Sequence, residues 1–169
     1  MLEGEDKRQP RAYLFVAIDD YSRELFAAIM PDKTSQSAAN FLEQVIDECG
    51  YSIECAYSDN GTEYRGTNTH PFVKTCLDNQ IIQRFTRVKT PRTNGKAERV
   101  IRTLMDMWHS KQVFASRAHR KNSLIRFLNY YNHVKPHKSL KNPHDKHFPF
   151  RTPYEQLNFY FFPKQRLTF

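Results

Sequence analysis

The first part of the chain alternates short apolar segments with turn residues. Residues 13–18 (YLFVAI) and 25–30 (LFAAIM) are runs of strand length, rich in aromatic and β-branched side chains, and the residues between them have turn chemistry. These two runs predict a β-hairpin. From Thr34 or Ser35 to Gly50, apolar residues recur at helical spacing, which predicts a helix capped by one of the hydroxyls and ended by the glycine.

The pattern continues with a strand at 53–57, a short helix at 71–79 and a strand at 81–85. Strands that alternate with helices indicate an α/β sheet with some parallel pairs, and ligand sites in such sheets usually lie at strand ends. The chemistry of this chain is therefore expected where its strands end.

The second part of the chain predicts helices and an irregular end. A basic loop at 87–95 leads into a helix with apolar positions up to Trp108, and a second helix is predicted from about 117 to 131. From 132 onward the sequence is rich in His, Pro and aromatic residues without clear periodicity. We expect this last segment to wrap the domain surface.

Charge divides the chain along its length. The net charge is +8, yet residues 1–83 carry 7 basic and 14 acidic side chains, residues 84–138 carry 14 and 2, and residues 139–169 carry 5 and 2. A basic excess concentrated in 84–138 is typical of a surface that binds a polyanion. No apolar run reaches the roughly 18–20 residues of a membrane span, and the acidic start is unlike a secretory signal, so we expect a cytosolic protein.

Two carboxylates have unusual surroundings. Asp59 follows a predicted strand and precedes Asn-Gly, so its side chain would project from the carboxyl edge of the sheet. Glu98 is predicted in the first turn of a helix and is, with Asp106, one of two acids in the basic segment. Two structural explanations compete with a functional one: Asp59 could cap its turn, and Glu98 could complement the helix dipole and pair with Arg102.

Four ordered segments resemble one family. Residues 13–23 (YLFVAIDDYSR), 57–64 (YSDNGTEY) and 90–99 (TPRTNGKAER) resemble the DDE integrase core, which retroviral integrases share with many bacterial insertion-sequence transposases. Residues 130–140 (YYNHVKPHKSL) resemble the segment that follows the core in the transposase branch, with Lys135 in place of the usual Arg. The resemblance implies an α/β, RNase H-like fold, in which helices flank a mixed sheet, and a polynucleotidyl transferase that acts on DNA.

The resemblance also implies a metal site. Asp59 matches the second catalytic carboxylate of the family and Glu98 the third, and both would bind Mg²⁺ or Mn²⁺, which prefer hard oxygen ligands. The family's first catalytic Asp lies on a central strand before residues 13–18, where this chain has only MLEGEDKRQPRA. Asp6 has an acceptable interval, but its neighbours are not those of a buried strand. We expect an amino-terminally truncated core without that strand or its carboxylate, and therefore a sheet of marginal stability.

DNA contacts are expected from the loop and helix that carry Glu98. Their cationic and amide side chains suit phosphate binding, and the predicted DNA-binding residues are Arg87, Lys89, Arg92, Asn94, Lys96, Arg99 and Arg102. The alternative for these residues is a solvated basic face. By resemblance the partners would be the element ends and target DNA, with a homo-oligomer as the active form and the bacterial nucleoid as its location.

The resemblance divides the chain into a tail at 1–11, a core-like domain at 12–131 and a transposase-type extension at 132–169. Two other functions stay open: a catalytically inactive remnant that only binds DNA, and a nuclease of the same fold. The three cysteines are an odd number without a CxxC pair, which predicts neither a disulfide framework nor a thiolate zinc site.

The extension contains two further groups of residues. Its histidines invite a zinc site, but prolines interrupt any shared helix and no cysteine lies nearby, so surface or DNA-facing positions are expected for His133, His137, His144 and His147. The aromatic run at 159–162 could stack on bases, although docking on the core is the more ordinary expectation.

Overall fold

The computed structural model of the chain describes residues 11–86, 91–143 and 145–161, apart from the side chains of 91–97. In chain order its elements are β1 (Tyr13–Ile18), β2 (Leu25–Met30), α1 (Ser35–Glu48), β3 (Cys55–Ser58), α2 (Pro71–Asp78), β4 (Ile82–Phe85), α3 (Pro91–Met107), a 3₁₀ turn (His109–Lys111), α4 (Arg117–His133) and α5 (Pro153–Phe161). The predicted order of strands and helices up to α4 is confirmed.

The hairpin has the predicted strands. β1 and β2 pair antiparallel, from Tyr13 opposite Met30 to Ile18 opposite Leu25. The Asp19 carboxylate accepts hydrogen bonds from the backbone N–H and the hydroxyl of Ser22, at 2.6 and 2.7 Å, and so fixes the turn between the strands.

The next elements also follow the prediction closely. Thr34 caps α1, since its hydroxyl accepts a hydrogen bond from the Ser37 N–H at 3.3 Å. β3 and β4 pair in parallel, with Cys55 opposite Ile82 and Ser58 opposite Phe85. Both strands begin one or two residues later than the apolar pattern indicates.

Among the residues that the structure describes, the named strands pair in two ribbons, and one isolated antiparallel bridge joins Lys141 and Phe150. β1 pairs with β2 in one two-stranded sheet, and β3 pairs with β4 in another. Residues 1–10, including Asp6, lie outside the described residues, and so do 87–90, 144 and 162–169.

The hairpin is buried on both faces. Phe15 and Phe26 point into a cluster formed with α1 and α2, whereas Leu25 and Ala27 point into a second cluster formed with α3 and α4. Trp108, 2% exposed, lies in the second cluster, where its indole N–H donates to the Ser123 hydroxyl at 3.0 Å. Burial on both sides explains why the hairpin strands lack the alternating polar positions of a half-exposed sheet.

The start of α3 corrects the predicted loop at 87–95. The helix begins at Pro91, since proline is favoured at a first helical position, where its missing N–H has no helical partner. Glu98 is then the eighth helical residue rather than a residue of the first turn. The helix dipole acts within the first turn, so it does not account for a carboxylate at this position.

Helix α5 is absent from the prediction, which expected irregular structure from residue 132. Its start is a reciprocal cap: the Thr152 N–H donates to Glu155 Oε2 at 2.8 Å, and the Glu155 N–H donates to the Thr152 hydroxyl at 3.2 Å. The sequence TPYE carries this capping box with proline at the first helical position. The signal was present but had no apolar period to support it.

The expected surface position is wrong for His137. This residue is 9% exposed, its Nε2–H donates to the Tyr131 carbonyl at 3.4 Å, and its ring meets the Tyr131 ring edge-on at 4.4 Å. Burial lowers the pKa of His137 to about 4, so the ring is neutral at pH 7. His133 and His147 are exposed as expected, and His144 lies outside the described residues.

The aromatic run contacts the core in part. The Tyr160 ring meets Tyr21 at 5.2 Å, and the Phe161 ring meets Tyr51 at 6.4 Å. Phe159 lies against the Arg151 guanidinium at 3.9 Å. These contacts favour docking, although each of the three aromatic side chains keeps more than 40% of its surface exposed.

Candidate functional site

Asp59 lies at the carboxyl end of β3 and is exposed. Its Oδ1 accepts a hydrogen bond from the Gly61 N–H at 2.9 Å, so the side chain shapes its own turn. Asn60 Nδ2 donates to the carbonyl of Thr86 at 2.9 Å, just beyond β4. The turn after β3 is therefore tied to the end of its parallel neighbour. Asp59 therefore caps its own turn and also lies exposed at the end of a strand, so both sequence-based interpretations apply to it.

A second carboxylate beside Asp59 was missed from the sequence. Glu63 is 5% exposed, and its Oε1 lies 3.0 Å from Nζ of Lys33, which comes from the loop between β2 and α1. Glu63, and more weakly Asp59, raise the pKa of Lys33. An acidic residue between a Gly turn and an aromatic residue, in the segment DNGTEY, was the available signal.

The charged side chains of α3 that the structure describes are exposed to solvent. From Glu98 onward, its buried stripe consists of Val100, Leu104 and Trp108, the last just past the helix end, spaced four residues apart. Glu98 and Arg102 lie one turn apart on the opposite face and are exposed, and Arg99 is also exposed. Glu98 and Arg102 form no ion pair with each other, so the pairing with Arg102 that was offered as a structural explanation of Glu98 is not present.

The other predicted contact residues lie outside what the structure describes: Arg87 and Lys89 entirely, and the side chains of Arg92, Asn94 and Lys96.

The structure thus brings Lys33, Asp59 and Glu63 together. Within the described part, no three His, Cys, Asp or Glu side chains converge as metal ligands, so Asp59 and Glu98 do not belong to such a group. The donor chemistry nevertheless fits a hard divalent cation. Asp59 and Glu98 offer exposed carboxylate oxygens, and Asp59 Oδ2 accepts no hydrogen bond from a described residue.

Two protein-family models match the chain over ranges that overlap at residues 79–91. The integrase core domain model matches residues 2–91, which is more than half of the chain. The chain belongs to the integrase core domain family. A second integrase core domain model matches residues 79–143, so the two together reach from before β1 to beyond α4. Members of this family are generally dependent on divalent metal ions.

Curated relatives of this integrase core domain come from mobile elements and viruses. It is 24% identical over 159 residues to "Putative integrase ORF3" of Spiroplasma virus SpV1-C74, covering 86% of this chain and 42% of the viral protein. It is 34% identical over 96 residues to the retrovirus-related Pol polyprotein from transposon TNT 1-94 of Nicotiana tabacum, covering 56% of this chain and 7% of that protein. The chain thus spans less than half the length of either relative.

Solved structures show the same fold. The catalytic core domain of BIV integrase has a TM-score of 0.62 and 21% identity, covering 85% of this chain and 84% of that one. A chain of the simian T-cell lymphotropic virus intasome, in complex with PP2A regulatory subunit B56 gamma, has a TM-score of 0.69 and 19% identity, covering 93% and 50%. These neighbours confirm the predicted RNase H-like fold class.

Among the described residues, no helix is long and apolar enough to cross a membrane.

Proposed function

We propose that this integrase core domain takes part in DNA integration or transposition. The observation that carries the proposal is the position of Asp59 at the carboxyl end of β3, with the exposed residues Glu98, Arg99 and Arg102 on α3, in a chain of this family. The reaction class is polynucleotidyl transfer, in which a 3′ hydroxyl loses its proton and attacks a DNA phosphodiester; the new bond joins it to the 5′ side of the cut strand, and the displaced 3′ oxygen takes up a proton.

Asp59 and Glu98 are proposed as the metal-binding catalytic residues. A bound Mg²⁺ or Mn²⁺ would activate the attacking hydroxyl and neutralise charge on the leaving oxygen. The residues of the chain hold the ligands in place: the Gly61 N–H fixes Asp59 Oδ1, and the anchored turn limits the directions in which that carboxylate moves. Glu98 is carried on a helix that is fixed by its buried stripe.

DNA is proposed to contact residues 87–90 and the exposed face of α3. Arginine binds phosphate through paired N–H donors, so Arg99 and Arg102 suit the backbone of a duplex or a strand end. The other proposed contacts are Arg87, Lys89, Arg92, Asn94 and Lys96. An acid within this face lowers phosphate affinity unless a cation neutralises it, and that argues for a metal ligand at Glu98. By family resemblance we also propose that the chain works as a homo-oligomer.

The test is joining or cleavage of a fluorescent DNA duplex by the full chain in Mn²⁺, with Asp59→Asn and Glu98→Gln as variants. Asp106→Asn is the matched control, because Asp106 is exposed on the same helix. We expect both variants to lose at least about 100-fold in rate, the scale of losing one preorganised electrostatic group, while the control keeps its rate. Equal rates in all four proteins would refute the assigned roles. DNA binding without turnover would favour the inactive DNA-binding alternative, and strand cleavage without joining would favour the nuclease.

A further inference from the structure

Glu63 has no part in the proposed reaction, yet it is a buried carboxylate close to the proposed catalytic residue Asp59. Its side chain is 5% exposed, and its ion-pair partner among the described residues is Lys33 at 3.0 Å. Lys33 itself is 58% exposed, so Glu63 is the buried member of the pair, and removal of Lys33 leaves a buried carboxylate without its cation. Lys33 lies 30 positions earlier, in the loop before α1, and joins that loop to the turn after β3.

Gly61 connects this pair to Asp59. A Cβ on Gly61 would clash with Glu63 Oε2 and lie 2.9 Å from Asp59 Oδ1. The two carboxylates therefore approach the same backbone position, and a side chain at this position would require one of them to move. The Gly61 N–H donates to Asp59, and its carbonyl accepts from the N–H groups of Tyr64 and Arg65 at 3.0 and 3.1 Å. Gly61 therefore lies between the Glu63 and Asp59 carboxylates and is hydrogen-bonded to Asp59.

We infer that Lys33 is a positioning residue for Asp59 and that it acts by neutralising Glu63. With the ammonium in place, two carboxylates share one backbone position without strong mutual repulsion, and the Gly61 N–H stays directed at Asp59. Without it, Glu63 carries an uncompensated charge against Gly61, and the turn must shift to hydrate or separate the carboxylates. The inference rests on the proposed function only in taking Asp59 to be a catalytic residue.

The test reads the turn directly, without metal or DNA. The chain contains five glycines, so ¹⁵N-glycine labelling gives a simple amide spectrum in which the Gly61 N–H reports its hydrogen bond to Asp59. Lys33→Met is expected to shift the Gly61 resonance toward its position in Asp59→Asn, and Lys33→Arg is expected to leave it in place. Lys74→Met, which removes an exposed ion pair with Asp78, is the matched control and leaves Gly61 unmoved.

A double variant separates the proposed route from its alternatives. If Lys33 acts through Glu63, then Lys33→Met causes little further shift in a Glu63→Gln background. An equal shift in both backgrounds would mean that Lys33 acts on Asp59 directly, and would overturn the inference. Loss of thermal stability with an unmoved Gly61 resonance would also overturn it, since the pair would then be structural only. If Lys33→Met does not fold, Lys33→Gln, which keeps a donor without charge, answers the same question. Because no step depends on DNA, failure here is distinguishable from failure of the proposed function.

Discussion

Asn132 joins two parts of the chain that are 107 residues apart, and its removal should be among the most damaging single changes. Its Oδ1 accepts a hydrogen bond from the Leu25 N–H, and its Nδ2 donates to the Leu25 carbonyl, both at 2.9 Å. The side chain thus takes the place of a neighbouring strand at the start of β2. Asn132 and Leu25 are 9% and 1% exposed, so water does not replace these bonds without rearrangement.

The magnitude follows from the two backbone groups that Asn132→Ala leaves unpaired. Each buried unsatisfied group costs about 1–3 kcal/mol, and single substitutions that cost more than about 4 kcal/mol are exceptional, so we expect a loss of about 2–4 kcal/mol in the free energy of unfolding. For a domain of this size that corresponds to a fall of about 4–16 °C in Tm. Asn132→Asp is expected to be no better, because its carboxylate would face the Leu25 carbonyl in a buried place.

Urea unfolding followed by tryptophan fluorescence measures this loss. Trp108 is the single tryptophan and is buried in the same cluster as Leu25, so its emission reports the relevant packing. Asn129→Ala is the control, because Asn129 is exposed on the same helix one turn earlier. A free energy of unfolding for Asn132→Ala within about 0.5 kcal/mol of that of the control would refute the reasoning.

Further predictions concern packing, capping and pH. Leu104→Ala should cost about 2–5 kcal/mol in urea unfolding because Leu104 is fully buried, whereas Ile101→Ala, at a position 46% exposed, should cost far less; similar losses would contradict the burial pattern. Thr152→Ala should cost about 1 kcal/mol by removing the cap of α5, and Glu155→Gln should keep most of it; a larger loss in Glu155→Gln would contradict the capping box. The pKa of His137 is lowered from 6.5 to about 4, mainly by burial and then by Lys135. Between those values the unfolded chain gains a proton that the folded chain does not, so stability should fall as pH drops through this window, and His137→Asn should lose less; parallel pH profiles of thermal unfolding would contradict this.

Local sequence patterns were sufficient to predict the elements whose determining residues lie close together in the sequence. The hairpin strands, the Thr34 cap and α4 follow from apolar spacing and cap chemistry within a few residues. The start of α3 was placed too late because Pro91 and Gly95 suggest a loop, while the helix is held by Val100 and Leu104 further along. Packing against the hairpin decides the outcome there, and a local pattern does not contain it.

The candidate site divides in the same way. Asp59 and Glu98 were singled out because each has a local signal, a turn after a strand and an acid within a basic segment, and because both match the family's motifs; their catalytic roles stay a prediction. Glu63 was missed because its meaning depends on Lys33, which is 30 residues away and was not singled out by any pattern. Ile101 lies three residues before Leu104 and so fits the apolar helical pattern, yet it is exposed. The pattern alone does not determine how wide the buried stripe of the helix is.

The central claim is that the exposed face of α3 binds DNA, and its salt dependence is the most direct test. The measurement is the affinity of the full chain for a fluorescent duplex over a range of salt concentrations, for wild type, Arg99→Ala/Arg102→Ala and the control Lys74→Ala. The plot of log affinity against log salt should be steep for wild type and the control, and its slope should decrease by about 1.8 in the double variant, about 0.9 per lost phosphate contact. A flat wild-type plot, or an unchanged slope in the double variant, would contradict the claim.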